Sequence, residues 1–592
     1  MRAPVFCSAL VAFLAAAARA QAPDPPPGPR ADCATGPISY IFIDNHSIFD
    51  AADPELDRRF AWAYGLANAL HVRTRRSVIR RELLFREGDC YEPALLEESE
   101  RLLRAYDFLS RVDVFGVRQE DGSYHVVVDT QDQWSTQLDL RLRLDGGLGF
   151  EGVRLREANV AGAGQSLAFF YLERDVTRDY GIAYATPQLA RTRWDLRAAA
   201  GRTRAGTFVT QTVAYPFVGE IGRWAARQSF AREDRFFAYV VDDDAGRPVH
   251  VLLPVRGRAA DLALLRRFGR PGDLTLLGVA LSYQRLAAPA SDTLEVVHGS
   301  DFERRVPADR AFARTVERQR GEVRALRPLL LLGKRNIAWV RRRGLDALRG
   351  VQDVRLGAEA ELALGPALPF PGLDDDLFAA LSLYAGTAAG PWLGAARARA
   401  EGRRALGAGP DWRDLLADGE LLLYWKPDEP SRHTLVARAA AAGGWHTRTP
   451  FQLTLGGDRA LRGYPPDRFP GGRRLVLSLE DRIFFGWPLP DVLDLGATFF
   501  LDVGRIWPGD APFGIDSGWR ATAGIGLRGA LPAGGRTTYR LDLAFPLGPG
   551  PADARLILSV GELIGLAAQP GDDQMLRSRR VGISGDLFHF PN

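Results

Sequence analysis

The chain has 592 residues, of which 25% are charged and 46% hydrophobic, and its formal net charge is +4. This length is several times that of a common domain, so more than one domain is expected. The small net charge and the lack of a basic stripe with interleaved aromatic residues in the sequence argue against a nucleic-acid partner.

The N-terminus has the features of a secretory signal peptide. Met1-Arg2 is a basic start, residues 5–18 are almost entirely apolar, and Ala18-Arg19-Ala20 is a small-x-small cleavage site. We expect residues 1–20 to be removed on export and the proline-rich residues 21–36 to form a linker. No later apolar run reaches the ~18 residues of a membrane-spanning helix, so the sequence predicts an exported protein without a helical span.

Residues 37–132 predict a small domain of mixed α and β structure. Its predicted elements are a strand at 38–43, helices at 54–70, at 75–85 and from Pro93, and a hairpin of strands at 112–117 and 124–129. Cys33 lies just before this region, in the predicted linker, and Cys90 lies within it. In an oxidising periplasm they can form a disulfide, and the alternative is two unpaired thiols.

From residue 133 onward the sequence predicts strands with one apolar and one charged face. In the first of them, apolar and charged positions alternate strictly: Leu138, Leu140, Leu142 and Leu144 against Asp139, Arg141, Arg143 and Asp145. A sheet in lipid must close on itself, with its charges inside, because open edges leave backbone groups unpaired. We therefore expect an antiparallel transmembrane β-barrel over 133–566, with the polar stretches 223–273 and 285–325 as extracellular loops. Trp134 fits either an interfacial aromatic belt or a packed core.

Residues 455–504 contain the most distinctive stretch. A loop rich in glycine and proline carries Leu461-Arg462-Gly463-Tyr464, and two alternating strands follow it. On their polar faces these strands place Glu480 and Asp502. An arginine on a loop and an aspartate inside a barrel can form a charge-assisted pair whose bidentate geometry fixes the loop.

This stretch resembles the BamA/TamA-type outer-membrane barrel superfamily. The motif residues that carry the resemblance are Gly456, Gly457, Arg462, Gly463, Tyr464, Phe500, Asp502 and Gly504, with Glu480 in support. The resemblance implies a sixteen-stranded barrel behind periplasmic POTRA domains, and a lumen loop whose Arg462 contacts Asp502. The alternative for this pair is a salt bridge that merely plugs a pore. Residues 157–164 are similar to a turn near the start of these barrels.

The order of elements in 37–132, with Glu87-Gly88-Asp89 before a helix, resembles a single POTRA domain. The extra helix at 54–70 departs from the simple POTRA pattern. The exposed edge of a POTRA sheet can accept a client strand by β-augmentation, and the alternative is a spacer.

The end of the chain offers two interpretations. Residues 555–563 are similar to a closing strand, which would make 567–592 a C-terminal tail. Alternatively, 581–590 closes the barrel. We favour the tail.

Chemical motifs are missing from the sequence. The histidines have no zinc-site spacing, and neither a G-x-S-x-G elbow nor a Walker loop occurs. We therefore expect no enzyme activity, no catalytic residue, no metal and no cofactor, and we interpret Asp374-Asp375-Asp376 as a solvated loop.

The resemblance implies an outer-membrane protein of a Gram-negative bacterium that inserts or translocates client polypeptides. Its expected partners are outer-membrane lipid, lipopolysaccharide and extended clients, with periplasmic accessory proteins as further candidates. The alternatives are a two-partner-secretion-like export pore, and a passive channel or surface protein without a client. The sequence leaves open the client, the oligomeric state and the choice between insertion and secretion.

Overall fold

The computed structural model describes residues 33–49, 59, 61–144, 148–174, 177–242, 248–289, 294–298, 305–407, 411–427, 431–487, 492–548, 554–566 and 574–575. The predicted signal peptide, most of the linker and nearly all of the tail lie outside these residues. So does the alternative closing strand at 581–590.

The first described unit is a small α/β domain. Its elements are β1 (Ile38–His46), α1 (Ala61–Leu70), α2 (Arg76–Glu82), α3 (Pro93–Arg104), β2 (Leu109–Arg118) and β3 (Tyr124–Asp132). The sheet has the order β1-β3-β2, with β1 parallel and β2 antiparallel to the central β3. Its buried core joins Ile79 of α2 and Leu103 of α3 to Val126 and Val128 of β3. The predicted mixed α/β unit is therefore confirmed, and in the structure a disulfide joins Cys33 to Cys90.

The second unit is built from strands that run alternately up and down. They are β4 (Thr136–Leu144), β5 (Leu148–Glu157), β6 (Ser166–Arg174), β7 (Thr177–Thr186), β8 (Asp195–Thr203), β9 (Gly206–Tyr215), β10 (Trp224–Asp242), β11 (Pro248–Arg270), β12 (Asp273–Ala287), β13 (Glu295–His298), β14 (Arg305–Pro307), then helix α4 (Arg310–Glu317), β15 (Val323–Arg343), β16 (Val351–Pro366), β17 (Asp376–Ala389), β18 (Trp392–Ala405), β19 (Trp412–Trp425), β20 (His433–Trp445), β21 (Leu453–Leu455), β22 (Phe469–Gly471), β23 (Arg473–Phe484), β24 (Asp494–Trp507), β25 (Arg520–Ala530), β26 (Tyr539–Leu547) and β27 (Arg555–Val560).

These strands form a closed antiparallel barrel, but the predicted number of sixteen is wrong. In the described residues, β4 to β12, β15 to β20 and β23 to β27 make twenty strands, and β27 lies next to β4 to close the ring. The short β13 and β14 extend the sheet beside β11. Residues 555–560 thus form the closing strand that 555–563 predicted.

The number sixteen is implied by the resemblance alone, and one stretch that the sequence predicts as a loop is instead a pair of strands. The stretch 223–273, predicted as an extracellular loop, forms β10 and β11, which have 19 and 23 residues. They pair without a break from Trp224↔Arg266 to Asp242↔Pro248. By contrast β4 to β9 have only 9 or 10 residues each. The polar residues of this stretch predict a loop because neither long strand alternates cleanly between exposed and buried positions.

The outer face of the barrel is apolar. On β12, Leu277, Val279 and Leu281 are exposed, whereas Leu274 and Leu276 are buried on the inner face. Exposed apolar residues of the same kind lie on other strands: Leu330, Leu332, Leu381, Leu383, Leu421, Leu423, Leu477, Leu479, Phe499, Leu501, Ile525 and Leu527. Such a belt is the surface that a barrel presents to lipid.

Two ends of the barrel are distinguished by the α/β domain. Because β4 begins directly after the domain and the strands alternate in direction, every second turn lies at its end of the barrel. These turns include 158–165, 187–194, 216–223, 344–350 and 531–538. We call this end of the barrel the domain end and the opposite end the far end. The second predicted loop, 285–325, holds β13, β14 and α4 at the far end. Among the described residues, no helix is both long and apolar enough to cross a membrane.

Candidate functional site

The candidate site is built around residues 446–472, which we call the lumen hairpin. They leave the ring at the far end, between the paired neighbours β20 and β23. Strands β21 and β22 pair with each other as the stem. Phe451, Leu453, Leu455 and Leu461 are fully buried, which places this segment inside the barrel.

The tip of the hairpin is a compact turn that depends on two glycines. The Gly457 amide donates to the Tyr464 carbonyl at 2.9 Å, and the Tyr464 amide donates to the Leu461 carbonyl at 3.0 Å. Gly456 and Gly457 have φ angles of +144° and +85°, which residues with a Cβ rarely adopt. A Cβ on Gly456 would also lie 2.0 Å from the Pro465 carbonyl oxygen.

Arg462 fastens this tip to the barrel wall. Its Nε and Nη2 each lie 2.7 Å from an oxygen of Asp502 on β24, and its Nη1 lies 2.6 Å from Glu480 on β23. The guanidinium also lies 3.6 Å from the ring centroid of Phe500. All three ionised groups are fully buried. The structure therefore brings together Arg462, Asp502, Glu480 and Phe500, and a bidentate charge-assisted pair of this kind fixes an orientation.

The anchor belongs to a larger buried ionic network. Glu480 accepts a hydrogen bond from Arg482 at 2.8 Å, and Arg482 lies 3.0 Å from Asp346 in the turn 344–350. Arg540 donates to Asp542 at 2.8 Å and to Glu562 at 2.6 Å. Arg528 on β25 also pairs with Glu562. Buried charges are costly unless each is paired, so the network can persist only as a set.

The other motif residues pack the tip against the wall. Gly463 lies so close to it that a Cβ would be 2.8 Å from the Pro546 backbone nitrogen and from Thr522 Cγ2. Arg555 of β27 donates to the carbonyls of Arg462 at 3.1 Å and of Tyr464 at 2.7 Å. At Gly504, a Cβ would lie 2.9 Å from Leu455 Cδ1 in the stem of the hairpin.

Gly463→Ala is expected to loosen the tip and to destabilise the folded barrel by about 1–3 kcal/mol, because the added methyl overpacks against backbone. Urea unfolding of the detergent-solubilised barrel measures the change. Gly257→Ala on β11 is the matched control, since its Cβ would meet nothing nearer than the Glu233 carbonyl at 3.8 Å. Equal loss of stability in both variants would contradict close packing at the tip.

The chain after β27 also enters the barrel. The Leu566 amide donates to the Tyr424 hydroxyl at 2.9 Å, and Arg482 donates to the Ile564 carbonyl at 2.5 Å. Farther along, Gln574 accepts from the Thr454 amide at 2.7 Å, and Met575 is buried against the lumen hairpin. The described parts of the C-terminal region thus line the interior together with the hairpin.

At the domain end, two turns of the same conformation hold α2. Asn159 and Gln188 have φ angles of −139° and −138° and ψ angles of 55° and 56°, and a short 3-10 turn follows each. Asn159 Nδ2 donates to Thr74 Oγ1 at 2.8 Å, just before α2. Gln188 Nε2 donates to Glu82 Oε1 at 2.6 Å, at the end of α2. We call the turns 158–165 and 187–194 the clamp turns, because they form hydrogen bonds at the two ends of the helix.

Two further contacts fix the domain across the barrel mouth. Glu98 of α3 accepts the Glu220 amide at 2.6 Å, and Arg104 makes a bidentate pair with Asp353 at 2.9 Å. Burial acts to raise the pKa of Glu98, but the hydrogen bond and charge of Arg101 hold it below its usual value. The domain is therefore tied to several turns around the mouth. Trp134 packs into this junction beside Phe49 and Tyr64, which supports the packed-core interpretation of this residue.

Asn159→Ala is expected to weaken the clamp by about 1–3 kcal/mol, because it leaves buried polar groups without a partner. Hydrogen exchange should then accelerate at the α2 amides and stay unchanged on β12. Gln119→Ala is the control, because its side-chain amide donates to the Val117 carbonyl in a surface turn. Unchanged exchange at α2 would show that the clamp turns do not hold the domain.

In the described part of the chain, no group of three or more His, Cys, Asp or Glu side chains is arranged to hold a metal ion. Asp376, from the acidic triplet interpreted as a solvated loop, is buried and accepts a bidentate pair from Arg327 at 2.8 and 2.7 Å. The prediction that Asp376 lies in a solvated loop is therefore wrong.

Comparison with known proteins gives structural matches only. No family model matches the sequence, and neither does any curated protein. Among solved structures, BamA from Haemophilus ducreyi lacking POTRA domains 1–3 matches with 13% identity and a TM-score of 0.36, over 88% of this chain and 84% of that one. CdiB from Escherichia coli matches with 13% identity and a TM-score of 0.41, over 88% and 76% of the two chains. CdiB from Acinetobacter baumannii matches with 11% identity and a TM-score of 0.38, over 89% of this chain and 74% of that one.

The matches therefore include BamA, whose type of barrel the sequence motifs resemble. At these identities and TM-scores they assign neither a function nor a site residue to this chain. What can be said of its function rests on its own geometry.

Several network residues were not assigned to the site from sequence. Arg528, Arg540 and Asp542 lie at alternating positions of β25 and β26 and are buried, but nothing in that alternation predicts which partners they meet. Asp346 lies in a turn and Glu562 follows the closing strand. Neither position carries a local pattern that points to the lumen.

Proposed function

We propose that this chain is an outer-membrane barrel of a Gram-negative bacterium that inserts or translocates client polypeptides. A closed ring with an apolar outer belt and buried charges inside is suited to hydrocarbon and poorly suited to water. The α/β domain then lies in the periplasm as a single POTRA-like unit. The proposal requires no cofactor and no nucleotide.

The observation that carries the proposal is the anchored lumen hairpin. Arg462, Glu480 and Asp502 are almost fully inaccessible to solvent, as are Arg540 and Asp542. The lumen is thus filled at this level, which is unfavourable for a wide, permanently open channel. A fixed hairpin inside a wide ring fits a passage that opens only while a client is being handled, with the Arg462–Asp502 pair holding the hairpin in its working position.

The domain supplies a place for a client on the periplasmic side. Its sheet has β1 and β2 at the edges, and an edge strand can accept an extended segment through backbone hydrogen bonds. Because α2 and α3 dock against the barrel mouth, a segment bound at a sheet edge would be delivered close to the lumen.

Depletion of the protein, followed by an inventory of outer-membrane and secreted proteins, tests the proposal. We expect a defined set of proteins to disappear from one of these fractions and to return when the wild-type chain is restored. Disappearance from the membrane indicates insertion, and disappearance from the medium indicates export. An unchanged inventory, together with steady wide conductance that is unaffected by deletion of 31–130, would overturn the proposal in favour of a passive channel.

A further inference from the structure

Helix α1 is the element of the domain that the proposed function leaves without a role. One of its faces is held: Tyr64 is buried against Phe49, and Asn68 exchanges two hydrogen bonds with the Phe49 backbone at 3.1 and 2.8 Å. The opposite face carries Trp62, Leu66 and Leu70, spaced four residues apart and therefore aligned. Their exposed fractions are 72%, 54% and 68%. This apolar stripe faces away from the domain.

The stripe lies where the apolar belt of the barrel begins. Leu70 and Val72 share a cavity with Trp134 and Thr136 at the foot of β4. Thr136 faces outward, and Leu138, two residues farther along the same face, is 52% exposed. The exposed apolar surface of α1 thus continues into the lipid-facing surface of the barrel at its domain end.

We propose that α1 is an interfacial anchor that lies in the surface of the phospholipid leaflet next to the domain. The inference rests on the proposed membrane location of the barrel. A ten-residue helix is too short to span a bilayer but suits a position parallel to it, with its apolar face in the acyl boundary. Tryptophan favours this interface. Exposed Arg73 and Arg76, just beyond the helix, are placed to attract anionic headgroups.

Continuity with the belt distinguishes this surface from the other exposed apolar patch of the domain. On the outer face of the sheet, Phe42, Val127 and Phe115 form a row across the three strands, and Phe42 and Phe115 are exposed. A row of carboxylates lies beside this patch: Asp44, Asp129 and Asp113. Arg111 pairs with Asp113 and Asp129, so one arginine faces three carboxylates and the border stays net negative. A negative border is unfavourable next to anionic lipid, so we assign the lipid contact to α1 and not to the sheet.

Spin labelling of the mature full-length protein tests the anchor. With Cys33 and Cys90 in a disulfide, a nitroxide attaches only to an introduced cysteine. The labels are placed in turn at Leu66→Cys on the stripe, at Phe115→Cys on the sheet as the matched control, and at Leu527→Cys on the outer face of β25 as the barrel reference. The probes are molecular oxygen, which concentrates in lipid, and a water-soluble nickel chelate. The vesicles contain phosphatidylethanolamine and phosphatidylglycerol.

We expect the ratio of oxygen to nickel collisions at positions 66 and 527 to exceed that at position 115 several-fold. An aqueous ratio at 66 beside a lipid ratio at 527 would overturn the anchor and leave the barrel proposal intact. Aqueous ratios at both positions would overturn the membrane location as well. Dipolar broadening between labels at position 66 would assign the stripe to a second copy of this chain, and would likewise overturn the anchor.

Discussion

Asp502→Ala is expected to destabilise the folded barrel by about 3–5 kcal/mol, because removing one partner of a buried ion pair leaves the other charge uncompensated. Asp502 accepts both Nε and Nη2 of Arg462 at 2.7 Å. Without it, Glu480 is the only carboxylate in the described part of the chain that lies within hydrogen-bond distance of this fully buried guanidinium. Urea unfolding and the temperature at which the folded band disappears on electrophoresis measure the loss.

The same variant is expected to lose client handling while still reaching the membrane. The tip of the lumen hairpin would then lose its bidentate pair and keep its packing, the contacts of Arg555 and the single hydrogen bond from Arg462 to Glu480, so its position would be less firmly fixed. Complementation of a depleted strain, followed by the inventory of outer-membrane and secreted proteins, measures the function. The amount of barrel in the membrane fraction is measured in parallel, so that loss of function is separated from loss of protein.

Asp516→Ala provides a matched control for removal of the Arg462–Asp502 pair. Asp516 also pairs in bidentate fashion with an arginine of β24, since Arg505 Nε and Nη2 lie 2.9 and 2.6 Å from its oxygens. That pair is exposed, and exposed pairs contribute only about 0–1 kcal/mol. The two variants remove the same kind of contact and differ in burial. Similar losses of stability in both variants, or normal client handling by Asp502→Ala, would contradict the proposed role of the Arg462–Asp502 pair.

Local sequence pattern was sufficient for the faces of individual strands. Alternation predicts that Glu480 shares the polar face of its strand with Ser478 and Arg482, and all three are buried on the inner face of β23. Asp502 and Thr498 on β24 follow the same rule. A strand has a period of two, so a few clearly apolar positions determine the orientation of all the others.

The number of strands could not be obtained in this way. Where β10 and β11 continue beyond the common strand length, their outward and inward residues are no longer cleanly apolar and polar, and the pattern resembles a loop. Their pairing is visible only in the register between Trp224 and Arg266 and its continuation. Strand number is a property of the closed ring, which no local window of sequence contains.

Which residues meet inside the lumen also depends on closure of the ring of strands, so a local window of sequence does not predict it. Asp346 and Arg482 are 136 residues apart, and they meet only because the ring brings the turn 344–350 beside β23. The Arg462–Asp502 contact was predictable because a loop motif and a strand motif occur in a recognisable order. Glu562 belongs to no such motif, although it pairs with Arg528, Arg540 and Arg482.

Glu562→Gln is expected to have the second largest effect, again about 3–5 kcal/mol, because it removes a buried negative charge from between three arginines. Glutamine keeps the size of the side chain, so packing around residues 561–566 is preserved and the charge is the variable. Glu562 follows β27 directly, and β27 lies next to β4 in the closed ring. The loss of stability should therefore be largest at the closing strands.

Hydrogen exchange locates the effect of Glu562→Gln, and urea unfolding measures its size. We expect amides of β27 to exchange faster, whereas those of β12 change little, because β12 pairs with long strands on both sides. Glu295→Gln is the control, since Glu295 pairs with Arg305 at 3.0 Å on the surface. If β12 and β27 were affected equally, Glu562 would stabilise the barrel as a whole and not its closure. If neither changed, the buried network would be tolerant of an unpaired arginine, and the anchoring role given to Arg462 would lose its physical basis.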